Sequence, residues 1–370
     1  MKKKILIGYF TPSKSSGINN YLYNVLDALR DNNMVIDALT CEYSVELEEN
    51  LKKYNVKLYT INRLVHPIKR YKDMKKILFS NKYDIVYFNI SEAYNCICNI
   101  AVYRYSDAQI ITHSHSSKND CQSALRRSFE YTIHKLCVPL INKYTHHFYA
   151  CSLIAGKWLF GKSAYHKLRI IRNTVNTDKF QFDVFVREQI RNKFGFTNND
   201  IVLGFAGNFV YQKNILFLID VFKELCKKNN NIYLILLGDG ELRLNIEQKI
   251  KKLKLENKIM LIGRVPNVYE YMSAMDAFVL PSLFEGLPIV GIEAQVNGLD
   301  CFFSDSITNE IKICELAHFI NHTFSASQWA DEIQKYMPIK RQKKVDYYNV
   351  LIDKNEQKNE FKDIFINGKL

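Results

Sequence analysis

Two carboxylates and a run of backbone amides carry the most informative chemistry in this 370-residue chain. Glu285 and Glu293 stand eight positions apart in Leu280-Pro281-Ser282-Leu283-Phe284-Glu285-Gly286-Leu287-Pro288-Ile289-Val290-Gly291-Ile292-Glu293-Ala294. The apolar run Ala277-Phe278-Val279-Leu280 reads as a buried strand, and a turn bearing Pro and Gly follows it. Pro288 suits the first turn of a helix, where its missing N–H costs nothing. This strand–loop–helix unit puts Glu285 in the loop at a helix N-terminus and Glu293 one to two turns further on. Amides at Gly286 and Leu287 would attract an anion, phosphate above all. Gly286 also lets backbone approach a ligand closely. Carboxylates beside such a site accept hydrogen bonds from hydroxyls, a combination that suits a sugar nucleotide. Taken as a lone pair, the two glutamates read more simply as solvated first-turn charges favoured by the helix dipole.

Two further candidates lie in the first half. Gln109-Ile110-Ile111-Thr112 reads as a strand that runs out into His113-Ser114-His115-Ser116. The C-terminal end of a parallel strand is where ligands are met in open α/β sheets. A histidine there could donate a hydrogen bond or carry a proton. Alternation puts His113 and His115 on the same side, and His115, deeper in the loop, is the favoured ligand-facing residue. Gly17 closes the loop Ser15-Ser16-Gly17 between the first strand and an amphipathic helix bearing Ile18, Tyr21, Leu22, Val25, Leu26 and Leu29. That turn faces the ligand crevice of a βα unit, or is only a helix start capped by serine.

The elements that position these residues alternate throughout. Strands are expected at 4–10, 35–39, 56–59, 84–88, 109–113 and 147–151, then at 201–206, 232–237, 259–262, 277–280 and 301–303. Helical patterns separate them. Each half should form a parallel sheet with helices on both faces.

The Glu-Gly-Leu-Pro run with its second glutamate resembles the signature of glycosyltransferase family four, retaining enzymes of GT-B architecture. Leu237-Gly238-Asp239-Gly240-Glu241-Leu242-Arg243 and Ile262-Gly263-Arg264-Val265 resemble that family's strand ends, in the same order. Gly204-Phe205-Ala206-Gly207-Asn208-Phe209-Val210-Tyr211-Gln212-Lys213-Asn214 resembles its diphosphate loop. Ala150-Cys151-Ser152 through Lys157-Trp158-Leu159-Phe160-Gly161, with the His-Ser-His segment, resembles capsule and exopolysaccharide members.

The resemblance implies two Rossmann-like domains facing a central cleft, over residues 1–175 (acceptor side) and 176–340 (nucleotide-sugar side), with a helical tail at 341–370 packing back on the first. It implies a sugar donor activated by a nucleoside diphosphate, UDP ahead of GDP, and a glycan or lipid-linked acceptor in bacterial surface polysaccharide synthesis. Glu293 would hold the ribose hydroxyls and Glu285 would lie near the transferred sugar or its phosphate, with His115 beside it. Gly17, Asn208, Lys213, Arg264 and the amides of Gly286 and Leu287 would bind the donor. Retention would use the departing phosphate as base, so no side-chain nucleophile is needed. The family places an Arg where this chain has Asn208, which cannot form a charged clamp. Arg264 and Arg172 are candidates to compensate. No Asp-X-Asp motif stands at a strand end, so neither metal nor cofactor is expected.

Composition sets the remaining bounds. Length and an apolar content of 47% fit two packed domains. Lys plus Arg exceed Asp plus Glu by 51 − 38 = 13, so an acidic partner is expected. Nucleic acid is not, because no recognition motif or basic stripe is present. Nine scattered cysteines fit reduced thiols. No apolar run of 18 residues occurs, and the expected location is cytoplasmic, with possible peripheral contact at the inner face of the membrane. The stretch 123–141 carries the stripe Leu125, Phe129, Ile133, Leu136 and Leu140 with basic residues beside it. It is either a core-facing helix or a face for anionic lipid. Two other readings fit parts of the pattern: a sugar-nucleotide 2-epimerase of the same architecture, and a non-catalytic sugar-nucleotide-binding subunit disabled at Asn208.

Overall fold

Short apolar runs alternate with amphipathic helices, and each run is long enough to cross a sheet but too short for a buried helix. The computed structural model describes residues 2–12, 17–30, 32, 34–121, 123–337, 339, 341, 345–347 and 354–370. Ser15 and Ser16 lie outside the described residues. The chain forms two compact units. One comprises residues 1–119, 123–174 and 352–370; the other comprises 120–122 and 175–351.

The first unit holds β1 (Lys3–Phe10), β2 (Met34–Thr40), β3 (Lys57–Thr60), β4 (Ile85–Ile90), β5 (Gln109–Ser114), β6 (His147–Ala150) and β7 (Leu168–Ile170). They form one parallel sheet in the order β3-β2-β1-β4-β5-β6-β7. The order reverses between β1 and β4, and in such sheets the crevice at that reversal is the ligand site. Parallel strands are covered on both faces, which is why every residue of β4 is buried. On one face the helix Gly17–Leu29 packs through Tyr21, Leu22, Val25 and Leu26. The C-terminal helix Lys354–Phe365 joins the same core through Phe361, Ile364 and Phe365. Its Gln357 donates to the carbonyl of Arg172 at 2.7 Å, and Glu360 pairs with Arg169 at 3.3 Å.

The second unit holds β8 (Ile201–Ala206), β9 (Ile232–Leu237), β10 (Ile259–Gly263), β11 (Ala277–Leu280), β12 (Asp300–Ser304) and β13 (Ala317–Ile320). This parallel sheet runs β10-β9-β8-β11-β12-β13 and reverses between β8 and β11. Two strands escape the sequence reading. β7 is three residues long. β13 has four, and both lie at sheet edges, where a weak pattern suffices.

The helix Ala124–Lys143 departs from the core-facing expectation. Among its described residues only His134 and Ile141 are buried. Leu125, Phe129 and Leu136 are 87%, 66% and 71% exposed. His134 is its anchor: Nδ1 accepts from the Ala93 N–H at 3.1 Å, Nε2 donates to the Trp158 carbonyl at 2.9 Å, and the ring stacks on Trp158 at 3.9 Å. Burial holds this imidazole neutral by pushing its pKa down to about 4.

Candidate active site

In the second unit the loops after β8 and β11 meet at the sheet reversal, and Glu285 is where they join. Lys213 Nζ donates to Glu285 Oε1 at 2.5 Å. Gln212 Nε2 donates to Oε2 at 2.8 Å and to the Phe284 carbonyl at 2.9 Å. Both oxygens of a carboxylate only 8% exposed thus have donors, as a buried charge requires. The loops are also stitched through backbone: the Leu283 N–H donates to the Gln212 carbonyl at 2.8 Å, and Asn214 Nδ2 to the Pro281 carbonyl at 3.2 Å. Asn214 takes a left-handed conformation (φ 54°) and starts the helix Ile215–Lys228. The structure therefore pairs Lys213 with Glu285 and adds Gln212, which sequence reasoning missed. Nothing in a polar residue beside a lysine points to a partner 73 positions away.

A bed of backbone lies beside this ion pair. The Gly207 N–H donates to Leu237 O at 3.0 Å, Gly238 N–H to Gly263 O at 2.8 Å, Phe209 N–H to Asp239 O at 2.9 Å, and Leu242 N–H to Phe209 O at 3.0 Å. The ends of β8, β9 and β10 are thereby laced together. The approach is so close that a Cβ on Gly238, whose φ is +141°, would meet the Gly207 carbonyl oxygen at 1.9 Å. Asn208 and Arg264 are exposed at these strand ends.

Glu293 lies in the second turn of the helix Ile289–Val296. Pro288 occupies the residue before the helix rather than its first turn, and Gly286 and Leu287 are buried in the preceding loop. Glu293 is half-buried; desolvation pushes its carboxyl up to about 7, with Lys179 pulling weakly the other way. Such a carboxyl is poised to accept hydrogen bonds from hydroxyls near neutral pH.

Gly17 and His115 belong to the first unit; the other seven candidates belong to the second. Gly17 is exposed and opens the helix Gly17–Leu29. His113 is fully buried, its Nδ1 2.5 Å from the Tyr87 hydroxyl, which in turn meets the Tyr21 hydroxyl at 2.8 Å. His115 lies partly exposed just past β5, stacked on His113 at 4.2 Å with the Tyr21 ring edge-on at 5.0 Å. Its Nε2 is 2.8 Å from Asn89 Oδ1. Arg172, the other cation considered, also lies in the first unit. Among the described residues, no group of three or more His, Cys, Asp or Glu side chains gathers to hold a metal.

The family described as "Glycosyl transferases group 1" matches residues 186–362. Over those residues the chain is similar to group 1 glycosyl transferases. The match covers most of the second unit, including Lys213, Glu285 and Glu293. The Bacillus subtilis protein EpsF, named for glycosyl transfer, is 31% identical over 189 residues, 50% of this chain and 49% of EpsF. The Escherichia coli UDP-Gal:alpha-D-GlcNAc-diphosphoundecaprenol alpha-1,3-galactosyltransferase is 27% identical over 286 residues, 72% of this chain and 70% of its own. The chain thus spans about half the length of EpsF and more of the galactosyltransferase. Among solved structures, Anabaena HepE in complex with UDP-glucose superposes with a TM-score of 0.74 at 18% identity, covering 98% of this chain and 95% of that one. WaaG, a glycosyltransferase of lipopolysaccharide biosynthesis, gives 0.70 at 14% identity over 99% and 100%. These likenesses establish the GT-B fold: two Rossmann-like units, each with its own parallel sheet.

Proposed function

We propose that the protein transfers a sugar, with retention, from a UDP-sugar to a lipid-linked or glycan acceptor in surface polysaccharide synthesis. The observation that carries this reading is the Gln212–Lys213–Glu285 junction at the β8/β11 reversal, with Glu293 a helix turn beyond. In the transfer, the bond between the anomeric carbon and the diphosphate oxygen breaks, and its electron pair leaves with UDP. The acceptor oxygen bonds to that carbon, and its proton passes to the departing phosphate. Lys213 and the amides of Gly286 and Leu287 offset the charge that grows on the diphosphate. Glu285 limits how far Lys213 can move, so the cation is pre-positioned before donor arrives. Glu293 takes the ribose hydroxyls. Asn208 adds a neutral donor where a cation would be stronger, and Arg264 is the exposed cation within the same unit. The chemistry needs no metal. HepE, solved with UDP-glucose, and the galactosyltransferase, named for UDP-Gal and a diphosphoundecaprenol acceptor, support UDP and a lipid carrier.

The exposed stripe of the helix Ala124–Lys143 supports cytoplasmic, peripheral membrane contact. Leu125, Phe129, Leu136 and Leu140 lie within one face, flanked by Arg126 and Lys135. Apolar residues bordered by cations fit the boundary of an anionic leaflet. No described helix is long and apolar enough to cross a membrane.

The test is release of nucleoside diphosphate from UDP-, GDP- and dTDP-sugars, with bacterial membrane extract supplying acceptor and a chelator in parallel. Extract-dependent UDP release, unchanged by chelator and lost in Glu293→Ala, is expected. Donor converted without acceptor would instead indicate an epimerase. Nucleotide binding without release, rescued by Asn208→Arg, would indicate a disabled subunit.

A further inference from the structure

The seat of His115 fixes which of its nitrogens carries the proton. Asn89 is buried at the end of β4 and spans the β1/β4 reversal: its Nδ2 donates to the Gly8 carbonyl at 2.9 Å. A carbonyl can only accept, so the amide nitrogen of Asn89 must face Gly8 and its Oδ1 must face His115. That oxygen lies 2.8 Å from His115 Nε2 and can only accept in turn. The proton of a neutral His115 therefore sits on Nε2. Nδ1 has no hydrogen-bond partner among the described residues and remains a bare acceptor. The ring is held against rotation by the His113 stack at 4.2 Å and the edge of Tyr21 at 5.0 Å.

We propose that Asn89 is a positioning residue that holds His115 in its Nε2–H tautomer, so that His115 Nδ1 accepts a hydrogen bond from a substrate hydroxyl instead of donating one to the diphosphate. This assignment rests on the glycosyltransferase reading for its substrate, but not for its tautomer. The surroundings agree. The titratable groups facing the ring are Tyr21 from the helix Gly17–Leu29 and His113 from its own strand, and neither supplies an anion. Burial alone pushes the His115 pKa down to about 3, so the imidazolium is not formed at physiological pH. A hydroxyl that donates to Nδ1 has an oxygen enriched in electron density, the right sense for a sugar hydroxyl that steadies a developing positive centre.

The experiment is a long-range proton–nitrogen correlation spectrum of histidine-labelled full-length protein from pH 5.5 to 8.5, with His115→Gln to assign the signals. The expected result is one His115 ring, neutral throughout, with protonated Nε2 and unprotonated Nδ1. An imidazolium in that range, or a proton on Nδ1, overturns the proposal. The Asn89→Asp variant places a carboxylate beside Nε2, which should bring His115 into titration within the same pH window. Its kcat should then fall about tenfold or more as pH drops through the new pKa, with donor KM little changed, because Nδ1 becomes a donor. A flat profile in a folded Asn89→Asp protein whose His115 titrates would sink the acceptor role. If the tautomer is as expected but no donor is turned over by wild type, the glycosyltransferase reading fails and the tautomer stands.

Discussion

Removing Lys213 tests whether the ion pair at the β8/β11 reversal is one device for both stability and catalysis. At 2.5 Å, with an effective dielectric of about 20, the gross attraction is about 7 kcal/mol, most of it offset by the desolvation of both groups. Deleting one partner leaves the other buried and uncompensated, which costs about 3–5 kcal/mol. Gln212 still satisfies one oxygen of Glu285 in Lys213→Ala, so the lower end, about 3 kcal/mol, is expected. For a unit of this size that corresponds to a fall of roughly 6 to 12 °C in Tm. Turnover should fall by about 10² to 10³, the usual loss when one donor to a developing oxyanion is removed. Adding Glu285→Gln removes the orphaned charge and should restore most of the Tm while leaving turnover low. Scanning calorimetry and nucleotide-release kinetics on the two single variants and the double variant measure both. Full additivity in Tm, with no recovery in the double variant, would refute the claim that these two charges are paired and buried.

Three further predictions follow from other parts of the structure. Because the Glu293 pKa is raised, the folded protein holds that proton more tightly than the unfolded chain. Its stabilising effect is present below the ordinary value of 4.5 and is lost as pH rises through about 7. Donor binding needs the ionised form, so donor Kd measured by titration should weaken about fivefold between pH 7 and pH 6, and Glu293→Gln should abolish that dependence. Phe129→Glu with Leu136→Glu should cut binding to phosphatidylglycerol vesicles at least tenfold without lowering Tm, since both side chains are exposed; unchanged vesicle sedimentation would exclude this face. Gly238→Ala forces a Cβ toward the Gly207 carbonyl and should cost about 2–4 kcal/mol in chemical denaturation while weakening donor binding. A neutral effect would mean the β8 and β9 loops are not in contact.

What the sequence made legible was local. The unit from Ala277 to Ala294 could be read because its apolar run, Pro-Gly turn and helix all fall within one window, and the structure keeps that order. The alternation of strands and helices was legible for the same reason, and with it the two-sheet fold. Contacts between distant residues were not. Lys213 and Glu285 lie 72 positions apart, and no periodicity links them. Asn89 and His115 meet only because β4 and β5 are adjacent, with Asn89 in register with His113. The stripe from Leu125 to Leu140 shows the limit of helical period: it reveals that one face is apolar but not whether protein covers it. Cap and edge chemistry hid β7 and β13, whose three and four residues carry too little pattern to stand out.

The central claim is that the second unit is a donor site organised by Lys213, Glu285 and Glu293. Calorimetric titration of UDP-glucose and UDP-galactose into wild type, Lys213→Ala and Glu293→Gln at pH 7.5, with chelator present, tests it most directly. The account predicts saturable binding of one of these donors by wild type and at least tenfold weaker binding by each variant. Binding unaffected by either substitution, or present only when a divalent metal is restored, would contradict it.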